Sequence, residues 1–307
     1  MAENAYLLSG AMPGTTSSFS KTSAAPRGKS AWFEPRRPIP RRIALLSTLL
    51  GFAAFLLLWC AVSAYYAHQG KSVIFASPWE VAMTARDYLA SGFSHEDTQM
   101  ADLVTLGTDV RATFLRVLGA FLLAAALGIP VGVLMGSFRI LESFFQPLAE
   151  FVRYVPVPAL IPVILLLFGI DESSKIVVIF AGTFFQLALM VADEIRRVPI
   201  DLLHICQTLG GTRMEIVRRV LVPAAMPGIF DTLRVCNGLA WTWVIVAELL
   251  GANAGLGFRI VKYQRYLQTD KIFLYLIVIG LIGLLLDWLF RLLQRALFHW
   301  ADTSRPG

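Results

Sequence analysis

Two short segments, Gly28-Lys29-Ser30 and Gly70-Lys71-Ser72, end as a phosphate-cradling loop ends, with a lysine for phosphate oxygens and a hydroxyl for magnesium. Neither has the glycine five positions earlier, where Ser23 and Tyr65 stand, and neither follows a buried strand. The chain therefore reads as having no nucleotide loop of its own. Its 4 histidines show no Ser-His-Asp spacing, and its 3 cysteines, Cys60, Cys206 and Cys236, lie far apart. A disulfide framework, a zinc site and a nucleophilic centre are all excluded on that spacing. His95-Glu96-Asp97 sits in a polar stretch and reads as a solvated loop.

What remains is charge placed among apolar residues, where it is costly and by default functional. Asp231, Arg234 and Glu248 interrupt the long apolar stretch Val220–Leu250, and Arg153 opens another. Asp231 and Arg234 are three apart on one helix face, so they either pair with each other or leave Arg234, with Arg153, beside an anion path. Glu248 lies next to Gly251–Gly257; as a fixed negative charge it suits a gate or a loop anchor better than an anion ligand.

The elements that must position these groups follow from composition. The chain of 307 residues is 56% hydrophobic and 16% charged, against roughly 25% charged in soluble domains. Ala44–Ala67 and Val117–Phe138 are charge-free runs long enough for the roughly 20 residues that a bilayer core demands. Tyr154–Ile170 and Ile176–Ala192, joined by Asp171-Glu172-Ser173-Ser174-Lys175, read as an antiparallel hairpin; Val220–Leu250 and Ile272–Phe290 complete six expected spans. Gly128, Gly132 and Gly136 recur every four residues on one face of the second span, which permits close helix packing. Pro156, Pro158 and Pro162 interrupt the third span, and Pro223 and Pro227 the start of the fifth. Broken backbone at membrane depth belongs inside protein or beside water, which makes these segments candidates for a pore wall and its hinges.

With the N-terminus inside, sixteen basic residues fall on inner segments and seven on outer ones, so both termini are expected to be cytoplasmic. The net charge of +6 is then topology and not a nucleic-acid footprint. The expected organisation is a disordered tail over 1–42, a first span at 43–67, an extracytoplasmic amphipathic helix and polar loop at 77–110, a helical core at 111–298 and a tail at 299–307. Ser77-Pro78-Trp79-Glu80 is a capping box opening the amphipathic helix to about Ala90, with a polar insert from Gly92 to Asp109 behind it. The outer basic residues Arg259, Lys262, Arg265 and Lys271 either attract an acidic partner or anionic solute or snorkel to headgroups.

Between the fourth and fifth spans, Pro199 suits a helix start, Gly210-Gly211 a helix stop, and Thr212 with Glu215 a capping box for a second helix running toward Pro223. Leu202, Leu203, Ile205, Cys206 and Leu209 form an apolar stripe at helical spacing. Such a stripe rests either on lipid headgroups or in a partner's groove.

The segment His204–Pro223 resembles the coupling loop of permease subunits of binding-protein-dependent ABC importers. That pattern is Glu-Ala-Ala, three residues, Gly, nine residues, then Ile-x-Leu-Pro. Gly210, Val220, Val222 and Pro223 match, whereas His204-Ile205-Cys206 replaces the opening triplet and removes its acidic residue. Further similarity runs from Ser77 to Trp300. It includes Gly128-Ile129-Pro130-Val131-Gly132, Arg153-Tyr154-Val155-Pro156-Val157-Pro158, Leu239-Ala240-Trp241, Ala247-Glu248-Leu249-Leu250-Gly251 and Gly255-Leu256-Gly257, and it points to the nitrate/sulfonate/taurine/bicarbonate branch.

The resemblance implies an all-α integral membrane protein of type I importer fold, with a five-helix core behind an extra first span. It implies a bacterial inner-membrane location and, as partners, two cytosolic ABC ATPases, a second permease copy as a homodimer, and an extracytoplasmic solute-binding protein. No cofactor belongs to this chain, since ATP and magnesium are bound by the ATPase. Asp201, Leu202, His204, Cys206, Leu209, Gly210, Arg213 and Glu215, within coupling helices at 199–217, are the expected coupling residues. Arg153, Pro156, Pro158, Arg234, Trp241 and Glu248 are the expected path or gate residues, and Gly255-Leu256-Gly257, on the outer side, a flexible gate or docking surface. The expected solute is taurine or another alkanesulfonate first, then nitrate or bicarbonate. The alternative, an ion-gradient secondary transporter, wants acidic residues on facing mid-span positions and an internal repeat.

Overall fold

Long apolar runs with few helix breakers leave the backbone no partner but itself, and the chain resolves them as helices. The structure is a computed structural model and describes residues 40–91, 97–249 and 251–299. The tail 1–39, with its Gly28-Lys29-Ser30 segment, His95-Glu96, Leu250 and residues 300–307 lie outside the described residues. In chain order the helices are α1 (Arg41–His68), α2 (Pro78–Ser91), α3 (Asp97–Ser137), α4 (Arg139–Tyr154), α5 (Val157–Phe168), α6 (Glu172–Arg196), α7 (Ile200–Thr208) and α8 (Arg213–Glu215). A π-helical turn, Ile216–Leu221, leads into α9 (Val222–Glu248), followed by α10 (Leu256–Arg265) and α11 (Thr269–Leu297). The chain divides into two units between Phe55 and Leu56. The first contributes only the opening of α1, whose described side chains are nearly all exposed, and the second holds every candidate functional residue.

Four helices (α1, α3, α6 and α11) are long and apolar enough to cross a membrane, and α4 with α5 makes a fifth if the bent pair is one span. Two of the six expected spans need correction. The third is no straight helix from Tyr154 to Ile170: α4 ends at Tyr154 and α5 leaves at 99° to it. Val155 (ψ 121°) is extended because the residue before a proline is driven out of the helical region, and Pro156 (ψ 119°) is the extended N-cap of α5, with Pro158 in that helix's first turn. Alone, the 12-residue α5 reaches about 18 Å, short of the hydrocarbon thickness. The fifth, α9, is long enough at 27 residues, but Asp231, Arg234, Asn237 and Glu248 make it more polar than a helix held by lipid alone.

The polar insert expected over Gly92–Asp109 is likewise helical from Asp97 onward, as the first turns of α3. Asp109 is fully buried there, so a polar residue that reads as loop lies, with the equally buried Thr113, on the inward face of a helix. The Ser77–Glu80 capping box is in place: Ser77 N–H donates to the Glu80 carboxylate at 2.7 Å and Glu80 N–H to the Ser77 hydroxyl at 3.2 Å.

The core is built on α6, whose Val178, Ile179, Leu187 and Val191 are fully buried between α3 and α9. A Cβ on Gly132 would lie 2.5 Å from the Ala188 carbonyl oxygen and 2.7 Å from Val191 Cβ; one on Gly136 would lie 2.7 Å from the Ala192 oxygen. These contacts are with backbone, which cannot step aside. Gly132→Leu is therefore expected to cost at least the roughly 1–3 kcal/mol of an overpacked core. Thermal unfolding in detergent should show the loss, whereas Gly119→Leu, where an added Cβ meets nothing within 4 Å, should be neutral.

Candidate functional site

Pro199 (φ −56°, ψ 131°) starts α7, and Gly210 at φ +79° ends it. Gly210 N–H donates to the Gln207 carbonyl and Gly211 N–H to the Cys206 carbonyl, both at 3.0 Å, the paired bonds of a Schellman stop. Thr212 then caps α8: Glu215 N–H donates to the Thr212 hydroxyl at 3.4 Å, and Thr212 N–H donates to the Glu215 carboxylate at 2.9 Å. The Thr212 backbone N–H above all, then the Thr212 hydroxyl, which donates at 2.8 Å, hold the Glu215 carboxyl below the usual carboxylate range. By linkage the cap is at full strength above that ordinary range and fades as pH falls through the lowered value.

The second helix of this elbow does not stop before Pro223. The backbone widens into the π-helical turn, with Val222 N–H donating to the Val217 carbonyl, and continues into α9. Pro223 supplies the reason, since its ring clashes with the carbonyl four residues earlier and offers no N–H to an ordinary helical turn.

The apolar stripe foreseen on α7 is split between two faces. Leu203 and Cys206 pack on the core, so Cys206, expected as a contact or geometry residue, seats the helix. Leu202, Ile205 and Leu209 point away and stay exposed, Leu209 by 83%. Asp201, His204, Gly210 and Arg213 are exposed around them, and Glu215 is half-buried within its cap. A rigid, doubly capped elbow thus carries three uncovered aliphatic side chains.

At the opposite end of α9 the structure assembles a buried polar clamp. Glu248, 1% exposed, accepts from the Thr113 hydroxyl at 2.7 Å, Arg116 Nη1 at 2.8 Å and Gly257 N–H at 2.7 Å. Arg116 also donates to the Ala254 carbonyl at 2.7 Å and makes a two-pronged bond to Glu172 at 2.6 and 2.8 Å. Lys175 joins the same Glu172 at 2.8 Å. Asp109 accepts from Gly255 N–H at 2.8 Å and from Arg259 Nε at 2.7 Å. Five elements are thereby tied: α3, α6, α9, α10 and the Gly251–Gly255 loop.

The Gly255-Leu256-Gly257 segment is accordingly neither exposed nor free. Leu256 is fully buried and its N–H donates to the Thr113 hydroxyl at 2.9 Å, because the opening N–H groups of α10 need acceptors and α3 supplies them. Arg259, expected on a basic outer surface, is spent on Asp109. Glu248 sits as the anchor of this loop. Asp109, Thr113, Arg116, Glu172 and Lys175 were not among the expected site residues; the signal for the first three was their four- and three-residue spacing on one face of α3.

The remaining expected path residues fall into two cavities beside α9. Arg153 and Pro156 line a 220 Å³ pocket with Gly182, Gln186 and Trp243, while Pro158 is exposed outside it. Arg234 and Trp241 line a separate cleft of about 600 Å³ between α9 and α11. Asp231 and Arg234 stand 3.8 Å apart, and Arg234 also meets Asp287 at 3.5 Å. Among the described residues no group of side chains could hold a metal ion.

Comparison with known proteins places these features in context. The family profile described as "Binding-protein-dependent transport system inner membrane component" matches residues 128–299. The chain is 29% identical over 270 residues to the putative aliphatic sulfonates transport permease protein SsuC of Bacillus subtilis (strain 168), covering 87% of this chain and 92% of that one. It is 34% identical over 196 residues to the taurine transport system permease protein TauC of Escherichia coli (strain K12), covering 64% and 71%. Among solved structures, an inward-facing conformation of the MetNI methionine ABC transporter superposes with a TM-score of 0.57 at 22% identity, over 66% of this chain and 98% of that chain.

Proposed function

Since the chain belongs to the binding-protein-dependent transport system inner membrane components, an ABC importer permease family, we propose that its solute is a small sulfonate, taurine or an alkanesulfonate before nitrate or bicarbonate. It carries spans and cavities but no nucleotide loop, so the work of ATP enters through a contact. The observation that carries this reading is the elbow, with Leu202, Ile205 and Leu209 uncovered on a doubly capped frame whose other face, Leu203 and Cys206, is seated on the core. An apolar face held this rigidly suits the groove of an ATPase that pushes on it.

In this reading two copies of the chain form the path across a bacterial inner membrane, with both termini and the elbow cytoplasmic. Each elbow sits in one ATPase, which binds ATP and magnesium, and an extracytoplasmic binding protein delivers the solute to the clamp end. A gradient-driven carrier is less well supported. Glu248, buried at the end of α9, is engaged with Arg116 and so does not stand ready for coupling-ion traffic.

Reconstitution tests the reading. With the ATPase and binding protein present, ATP on the ATPase side should drive sulfonate accumulation, and a proton or sodium gradient alone should drive none. Gradient-driven uptake by this chain by itself would end the proposal.

A further inference from the structure

Arg234 is used neither by the elbow nor by the clamp. Its guanidinium stands 3.5 Å from Asp287 and 3.8 Å from Asp231, separations too long for a good hydrogen bond, and among the described residues it makes none. Asp287 receives its own hydrogen bonds from Arg291. A guanidinium with idle donors in so apolar a stretch favours an occupant that accepts from them.

The space beside it has the shape to supply that something. The cleft of about 600 Å³ is half open, lies within the roughly 300–1,000 Å³ of small-molecule sites, and is lined by Asn237, Trp241, Thr242 and Gly283 as well as Arg234 and Asp287. Trp241 is 5% exposed and its indole N–H has no partner among the described residues. The uncovered positions of α9 that line the cleft are Gly238 and Thr242, small or polar, whereas α1 exposes Leu49, Phe52 and Phe55. The α9 face is therefore suited to a small molecule and water, and the α1 face to acyl chains.

We propose that this cleft is a subsite for a short aminoalkyl sulfonate, with the sulfonate on Arg234, the ammonium facing Asp287 and the methylenes along the apolar wall. The proposal rests on the importer reading and narrows its solute class. Arg234 and Asp287, the charged residues that line the cleft, together carry no net charge, so the site does not concentrate a bare anion. Nitrate or bicarbonate would meet Asp287 with nothing to offer it. A solute carrying both charges satisfies Arg234 and Asp287 at once.

The test uses the full transporter in proteoliposomes, comparing ATP-driven uptake of 2-aminoethanesulfonate with that of ethanesulfonate. Arg234→Gln should lower both by at least roughly tenfold, as expected when one partner of a buried polar contact is removed. Asp287→Asn should lower the ratio of aminoethanesulfonate to ethanesulfonate by roughly tenfold, because only the ammonium loses its partner. Gly283→Leu provides the control against misfolding: an added Cβ there meets nothing within 4 Å, so the variant should assemble and yet plug the cleft. An unchanged uptake ratio in Asp287→Asn, or wild-type uptake in Gly283→Leu, would overturn the subsite. Phospholipid that copurifies with the wild type and is lost from Gly283→Leu without loss of uptake would assign the cleft to a lipid and overturn it equally. A wild type that takes up neither sulfonate on ATP defeats the sulfonate reading on which the subsite rests.

Discussion

Gly210→Val is expected to abolish ATP-driven uptake and solute-stimulated ATP hydrolysis while leaving membrane insertion intact. An added Cβ at Gly210 meets nothing within 4 Å, so packing contributes nothing to the effect. The whole penalty is conformational. At φ +79° an L-residue loses about 1–2 kcal/mol, and a β-branched one more, because Cβ crowds the following carbonyl. If valine forces the backbone elsewhere, the two bonds that end α7 are lost and α8 leaves in another direction. The elbow then presents Leu202, Ile205 and Leu209 at the wrong angle to whatever covers them. Gly210→Asn should retain most activity, since asparagine tolerates the left-handed region. Gly211→Leu should fail for a different reason: its Cβ would lie 2.6 Å from Cys206 Sγ and 2.9 Å from the Cys206 carbonyl oxygen. Coupled transport and ATPase assays on the three variants give the ranking; normal coupling in Gly210→Val would show that the elbow transmits nothing.

The elbow was readable from the sequence because its determinants are neighbours. Pro199, Gly210 and the Thr212–Glu215 pair act on backbone groups within a few residues, so spacing alone specifies the geometry. The division of its apolar stripe was not readable, since Leu203 and Cys206 turn inward only because the core surface of α9 and the π-helical turn lies there. Pro156 and Pro158 announced a break, but not a bend of 99°, which depends on where α4 docks against α6. The clamp was the least legible part. Its bonds join positions more than a hundred residues apart, Thr113 and Arg116 to Glu248 and Asp109 to Gly255, and pairwise sequence spacing carries no such information. Asp109 closes the expected polar insert, although its i, i+4, i+7 placement with Thr113 and Arg116 is as helical as any leucine stripe.

The clamp also yields the largest expected change in stability. Arg116→Ala strips Glu248 of its only cationic partner among the described residues and leaves the carboxylate 1% exposed, with Thr113 and Gly257 as its remaining donors. Removing one member of a buried ion pair typically costs about 3–5 kcal/mol, more than the pair itself is worth, because the survivor keeps its desolvation penalty. Removing both charges should therefore be milder than removing one. Arg116→Met with Glu248→Gln is expected to recover much of the loss, since neither side then buries an unpaired charge. Glu172 complicates the comparison only slightly, because Lys175 remains bonded to it at 2.8 Å. A double-mutant cycle on thermal unfolding in detergent isolates the coupling, and additive losses would mean that the two side chains do not stabilise one another. Hydrogen exchange reports the local consequence. In Arg116→Ala the amides of Gly255, Leu256 and Gly257 should exchange faster, since Arg116 holds both Glu248, the acceptor of Gly257 N–H, and the Ala254 carbonyl at the start of that run.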